Sequence, residues 1–209
     1  MTAVESIKVA VIGGGAAGLA AARVLSRNGI QPVVFEKEVG GGGVWRYIPN
    51  SKTLPMYRGL RTNLPREIMA YREKPWGGAG KSYVTHNEVL DYLQAYKDDF
   101  DLDQYICYGS KVTQLTMLPQ TKSRVSMESE PWPKIQLEWE TNDDREQDVF
   151  DAVCVANGHF AIPSIPELSG KEHFKGRVVH SIEYDEPSSF ESQVVLCIGV
   201  RASGADLAR

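Results

Sequence analysis

The stretch Ile7-Lys8-Val9-Ala10-Val11-Ile12-Gly13-Gly14-Gly15-Ala16-Ala17-Gly18 decides how the rest of the chain is read. An apolar, β-branched run gives way at once to Gly13-x-Gly15-x-x-Gly18, and the helix-forming residues Leu19 to Ser26 follow. A strand that turns directly into a helix leaves unpaired backbone N–H groups aimed at one point, with the helix dipole behind them. A pyrophosphate suits that point when no side chain stands in the way. Gly13 then makes the tight turn, Gly15 lets the backbone come up to the phosphates, and Gly18 lets the helix lie close on the strand. Gly14, Ala16 and Ala17 complete the cradle.

A second apolar strand, Pro32-Val33-Val34-Phe35, ends in Glu36. That carboxylate stands close to the interval of about twenty residues at which an acid meets the ribose of a bound dinucleotide. Gly29 is the expected helix stop between the two strands. The competing reading is an ordinary βαβ unit with a buried glycine turn, and the placement of Glu36 favours the dinucleotide site.

Working outward, Gly40-Gly41-Gly42-Gly43 followed by Val44-Trp45 reads as backbone lying flat against a ligand; the alternative is a mobile glycine loop. Residues 48–82, with Pro49, Pro55, Pro65 and Pro75, read as irregular structure, and Arg58 to Pro65 is unusually polar for a segment containing Leu60 and Leu64. Loops this long inside a compact domain tend to be functional or disordered. Thr85-His86-Asn87-Glu88 is a capping box opening a helix with Val89, Leu90, Leu93 and Tyr96 at helical spacing. His86 is expected to be a solvated residue of its first turn.

Lys111 to Met117, Ile135 to Thr141 and Gln147 to Val155 read as strands of a meander, with Asn142-Asp143-Asp144 as a turn and Pro119 to Pro133 as an exposed excursion. Ala152-Val153-Cys154-Val155 is apolar on both faces, as in a buried parallel strand. Its continuation, Ala156-Asn157-Gly158-His159, is a second turn able to approach a cofactor. Ile162 to Gly170 reads as an extended linker. Beyond it Val194 to Ile198, Gly199 and Gly204 repeat the opening theme of buried strand, glycine turn and helix start, with Arg201 in place of the middle glycine.

The totals narrow the function. A domain of 209 residues buries roughly 70% of its unfolded surface without staples. A net charge of -4 argues against a nucleic-acid partner. Cys107, Cys154 and Cys197 form no CxxC pair, so neither a redox dithiol nor a zinc site is indicated, and they are expected to be reduced core residues. No run of eighteen apolar residues, no basic leader before the first apolar run and no Asn-x-Ser/Thr sequon is present. A cytoplasmic protein is expected.

With these stretches in order, the sequence closely resembles the flavin-containing monooxygenase family of class B flavoprotein monooxygenases. The resemblance runs from the Gly13-x-Gly15-x-x-Gly18 turn through Glu36, Gly42 to Trp45, Thr62-Asn63 and Ala156-Asn157-Gly158-His159 to the second turn at Gly199. Its most diagnostic part is Phe174-x-Gly176-x-x-x-His180-x-x-x-Tyr184. The string Leu60-Arg61-Thr62-Asn63-Leu64-Pro65-Arg66-Glu67 looks most like the plant and fungal sulfur-oxidising branches.

The resemblance implies an α/β fold: a Rossmann-like FAD-binding domain over residues 1–168, with parallel sheet, helices and β-meander, and the start of a Rossmann-like NADP-binding domain over 169–209. It implies FAD and NADPH as cofactors. It also implies insertion of one oxygen of dioxygen into a soft nitrogen or sulfur of a small amine or thioether, through a flavin hydroperoxide. Asn63 would be catalytic, beside flavin and NADP, flanked by Thr62 and Leu64. Lys37, Val44, Trp45 and Val112 would join the first glycine turn and Glu36 in holding FAD. Ser203, Gly204, Ala205 and Asp206 would hold NADP at the second turn, where Arg201 could pair with a phosphate. His180 and His159 would be positional.

The resemblance allows a homodimer, and any membrane association would come through a further C-terminal segment. Family members are about twice as long, lengthened by the rest of the NADPH domain and a returning part of the FAD domain. A flavin-binding fragment without catalysis and a Baeyer–Villiger monooxygenase are therefore the alternatives. The latter's fingerprint typically carries Trp-Pro where this chain has Glu183-Tyr184-Asp185.

Overall fold

The structure, a computed structural model, describes residues 7–119, 132–142 and 144–208. The chain divides into two compact units, Met1–Gly43 with Leu93–Gly158, and Val44–Tyr92 with His159–Arg209.

In the first unit, β1 (Lys8–Ile12), α1 (Ala16–Arg27) and β2 (Gln31–Glu36) form the expected strand–helix–strand. The two strands run parallel, with Val11 opposite Val34. Two short strands complete a four-stranded sheet in the order β3-β2-β1-β7, with β3 at Ile106–Tyr108 and β7 at Ala152–Val155, every pair parallel. Alternation along β1 and β2 divides their side chains between two cores. Val11 and Val34 face α1, where they bury Ala22. Ala10 and Phe35 face the other way, onto Leu137 and Phe150 of an antiparallel meander.

That meander is β4 (Ser110–Met117), β5 (Ile135–Thr141) and β6 (Asp144–Phe150). Phe35 lies 4.6 Å from Trp139 and meets Phe150 edge-on at 5.9 Å. Aromatic pairs of this kind add about 0.5–1.5 kcal/mol each beyond the area they bury. Most of the expected excursion between Pro119 and Pro133, and Asp143 of the expected turn, lie outside the described residues.

The expected single strand from Gln147 to Val155 is two strands. The chain leaves β6 at Phe150 and enters β7 at Ala152, and Asp151 makes the corner. Its N–H donates to the Lys8 carbonyl (2.9 Å), while its carboxylate accepts from Lys8 N–H (2.6 Å) and from Lys134 Nζ (2.5 Å). An aspartate so held is the end of one ladder and the start of another. β7 is parallel as expected but only half-buried, because it is the outermost of the four described strands and gains cover from one neighbour alone.

The second unit is mostly turns. It contains α2 (Arg66–Met69), α4 (Ala202–Leu207) and the start of α3 (His86–Asp99), whose residues from Leu93 onward belong to the first unit. The capping box forms as expected, with Thr85 N–H donating to Glu88 Oε2 (2.7 Å) and Glu88 N–H donating to Thr85 Oγ1 (3.3 Å). Val89, Leu93 and Tyr96 are buried.

His86 is not solvated: it is 3% exposed, with Nε2 at 3.3 Å from the Arg58 carbonyl and its ring against Tyr47. The polar loop segment folds over it. Ionic and hydrogen-bonded links knit this unit together. Tyr47 hydroxyl donates to Asp185 (3.0 Å), Arg58 meets Asp185 and Glu186, and Tyr57 hydroxyl donates to Asp206. His180 caps a short turn, its Nδ1 accepting from Ile182 N–H at 3.2 Å.

Two further expectations are corrected. Residues 194–200 form no strand: Val194, Leu196 and Val200 are fully exposed, since among the described residues no neighbouring strand pairs with them. The cysteines are free, but of the three only Cys154 packs against a core, that of Val11, Ala22 and Val34. Cys107 and Cys197 are exposed, the first on β3 at the other edge of the described sheet and the second in this unpaired stretch, and Cys154 is half-buried on β7.

Candidate dinucleotide site

The first glycine turn is built by close backbone approaches in the first unit. Gly13 carries a φ of +106°, and its N–H donates to the Phe35 carbonyl (2.8 Å). A Cβ there would stand 2.5 Å from the Ala156 carbonyl oxygen, so Ala156-Asn157 closes one side of the turn. A Cβ on Gly18 would lie 1.8 Å from the Gly13 oxygen, which is why only glycine lets α1 follow β1 so tightly. Gly15 differs. Its φ of -81° suits any residue, and a Cβ would meet only Gly43 Cα, at 3.3 Å. Glycine here lets the Gly43 backbone lie close over the turn rather than permitting the turn's own conformation.

The glycine run folds back onto that same turn. Gly42 N–H donates to the Gly14 carbonyl at 3.2 Å. The first intrahelical bond of α1 runs from Leu19 N–H to the Gly15 carbonyl (2.9 Å), so the amides ahead of it point out of the helix's positive end.

Glu36, at the end of β2, is 6% exposed and lies in no ion pair among the described residues. Its Oε2 accepts from Gly14 N–H (2.7 Å) and its Oε1 from Glu38 N–H (2.9 Å). Two amides thus fix the carboxylate beside the turn, and each oxygen keeps a second lone pair. A cradle that a Cβ would fill, beside a carboxylate oriented by backbone amides, fits a pyrophosphate with a ribose diol next to it.

The second turn, in the second unit, reproduces the first in detail. Gly199 has a φ of +107°, and a Cβ on Gly204 would lie 2.0 Å from the Gly199 oxygen. Arg201 caps α4 with φ -75° and ψ -179°, against -81° and -169° for Gly15. An arginine therefore holds this position without backbone strain. Asp206 of α4 accepts from Tyr57, whose hydroxyl is pushed well above its ordinary pKa by burial and by that bond.

The first unit therefore brings together Gly13, Gly14, Gly15, Ala16, Ala17, Gly18 and Glu36. Lys37 is exposed beside Glu38, and Val112 packs from β4 against the Phe35 core. Val44 and Trp45 form a short turn with Gly43. In the second unit Thr62 is buried while Asn63 and Leu64 are exposed, and Ser203, Gly204, Ala205 and Asp206 lie on α4. Sequence reasoning did not find that Gly14 and Glu38 amides orient Glu36, nor that Tyr57 holds Asp206, because both links join residues by folded proximity rather than by motif.

Residues 6–209 match the family model described as flavin-binding monooxygenase-like. The chain belongs to that family. It is 37% identical over 230 residues to the flavin-containing monooxygenase FMO GS-OX5 of Arabidopsis thaliana, an overlap covering 100% of this chain and 47% of that protein. Among solved structures it resembles S-allyl-L-cysteine S-oxygenase from Allium sativum, with a TM-score of 0.84 and 32% identity over 97% of this chain and 48% of the other. Tmm from a Pelagibacter species gives a TM-score of 0.81 at 27% identity, over 96% of this chain and 47% of that one. The chain spans about half the length of the curated relatives it matches. Among the described residues no helix is long and apolar enough to cross a membrane.

Proposed function

We propose that this chain carries the two nucleotide turns of an FAD- and NADPH-dependent monooxygenase acting on a soft sulfur or nitrogen of a small amine or thioether, in a cytoplasmic setting. The observation that carries the reading is the first turn: a cradle that requires glycine at Gly13 and Gly18, aimed by a helix end, with Glu36 fixed beside it. The balanced reaction consumes substrate, dioxygen, NADPH and a proton, and yields the S- or N-oxide, NADP+ and water. Bound FAD would supply the redox chemistry, accepting hydride from NADPH and delivering one oxygen atom to the substrate.

The chain's residues bind and orient. Gly13 to Gly18 receive the FAD pyrophosphate on their amides, and Glu36 accepts from the adenosine ribose. Lys37, Val44, Trp45 and Val112 complete the FAD-binding domain of residues 1–168. Gly199 to Asp206, in the NADP-binding domain that starts at residue 169, receive the NADPH pyrophosphate. Arg201 replaces the space of a glycine by a guanidinium that pairs with phosphate. Asn63 hydrogen-bonds at the site of oxygen transfer, with Thr62 and Leu64 beside it.

Similarity to an S-oxygenase at a TM-score of 0.84, against 0.66 for a cyclohexanone monooxygenase, supports a sulfur or nitrogen acceptor over a Baeyer–Villiger ketone. A chain spanning half the length of its relatives also suits a second reading, flavin binding without turnover. Purified 209-residue chain should retain yellow flavin. Flavin that then bleaches under NADPH without air supports the oxygenase, and flavin that stays yellow supports the second reading. A chain that takes up no flavin overturns both.

A further inference from the structure

His86 opens α3 with its side chain buried, and among the described residues its Nδ1 has no hydrogen-bond partner. The Arg58 carbonyl, 3.3 Å from Nε2, can only accept, so Nε2 carries the proton and Nδ1 is left as a bare acceptor. A buried acceptor without a donor lowers stability, and a leucine or methionine side chain would fill the same space without that loss. What the imidazole adds at this place is the one hydrogen bond that it does make.

That bond holds a turn. Leu60 N–H donates to the Tyr57 carbonyl (3.1 Å), closing Tyr57–Leu60. His86 grips the turn twice, through Nε2 on the Arg58 carbonyl and through its own N–H on the Leu60 carbonyl (3.3 Å). Only the first of these depends on which side chain stands at residue 86. At its other end the turn reaches α4, where the Tyr57 hydroxyl donates to Asp206. Burial and that bond together push the phenol well above its ordinary pKa. A single turn thus joins a buried imidazole to the helix that follows the second glycine turn.

We infer that His86 is a positioning residue for NADPH: its Nε2–H sets the Tyr57–Leu60 turn, and the turn sets Tyr57 on Asp206. The inference rests on the proposed function for what α4 receives. His86 acts through Tyr57 and not on the cofactor itself.

The test compares His86→Leu, which drops the donor, with His86→Gln, whose amide can donate to the same carbonyl, in the flavin-loaded chain. NMR titration of carbon-13-labelled tyrosine rings reads Tyr57 directly, its signal identified by its loss in Tyr57→Phe. Tyr57 should stay protonated at about pH 11 in the parent and in His86→Gln, and should titrate near the ordinary value of about 10 in His86→Leu. Calorimetric NADP+ affinity should fall about fivefold in His86→Leu and less than about twofold in His86→Gln. Because both residues act through one contact, His86→Leu/Tyr57→Phe should lose no more than the weaker-binding single variant. The urea midpoint of His86→Leu should stay within about 0.3 M of the parent, since the unpaired acceptor leaves with the donor. His86→Met replaces His86→Leu if the latter folds poorly, and failure of both overturns the inference by making the imidazole a piece of the core. A Tyr57 titration unchanged in His86→Leu, or shifted equally in His86→Gln, overturns it as well, as do additive losses in the double variant or an unchanged NADP+ affinity. A parent chain that binds no NADP+ takes down the oxygenase reading, while the Tyr57 titration still decides whether His86 holds the turn.

Discussion

Replacing Gly18 by alanine isolates the geometry on which the first turn depends. The new Cβ would lie 1.8 Å from the Gly13 oxygen and 2.9 Å from its carbonyl carbon. Both are backbone atoms, so no side chain can swing aside. To restore even a tight contact of about 3 Å, α1 must move roughly 1.2 Å away from β1, opening the contact of Ala22 with Val11 and Val34. Overpacking typically costs about 1–3 kcal/mol, and an immovable partner places this case at the upper end. A loss of about 3 kcal/mol lowers the folded-to-unfolded ratio roughly 150-fold and shifts the urea midpoint by about 1 M or more. Gly59→Ala is the control, since a Cβ there meets nothing within 4 Å, and it should stay within about 0.5 kcal/mol of the parent. Urea unfolding followed by circular dichroism compares the two. Coincident transitions for Gly18→Ala and Gly59→Ala would refute the packing argument.

Three other expectations follow from the same geometry. Gly15→Ala, at an ordinary φ and with one contact at 3.3 Å, should cost less than about 1 kcal/mol of stability yet weaken FAD binding at least about tenfold, as measured by flavin fluorescence quenching; unchanged affinity counts against the cradle. Glu36→Gln keeps the shape but loses the charge, and hydrogen bonds to a charged group contribute about 1.5–3 kcal/mol, so FAD affinity should fall about 10- to 100-fold in the same assay. The Asp151 carboxyl is held below its usual range by the Lys134 ammonium and Lys8 N–H, and Asp148 by Lys8. Their folded values lie below the unfolded one near about 3.9, so their contribution is full above that pH and is lost as pH falls through the folded values. These pairs are partly exposed, so the contribution is at most about 1 kcal/mol; Asp151→Asn should flatten the acid decline of the urea midpoint below about pH 4.

What the sequence disclosed was local and periodic. β1, the glycine turn, α1 and β2 were legible because β-branched runs, glycine spacing and Glu36 all point the same way. The Thr85–Glu88 capping box was legible because its two hydrogen bonds close within four residues. The corner at Asp151 was not, since it arises when residue 151 meets Lys8 and Lys134, and nothing in the apolar run from Val149 to Val155 marks a change of sheet. Val194 to Ile198 has a strand's composition, but a strand is a property of two neighbours. The burial of His86 depends on Arg58 and Tyr47 arriving from the loop.

The outer face of the meander has a consequence for the life of the protein in crowded solution. Among the described residues β6 is one of its two edge strands and reads Asp144-Arg145-Glu146-Gln147-Asp148 before it reaches buried Phe150, and Lys8 reaches across to Asp148. An open ladder end is a template for runaway pairing between molecules, and a dense row of fixed charges makes that pairing costly. The wall that cushions Phe35 on its inner side therefore also repels would-be fibril partners on its rim, so neutralising Asp144, Arg145 and Glu146 should leave the interior intact while making the protein clump.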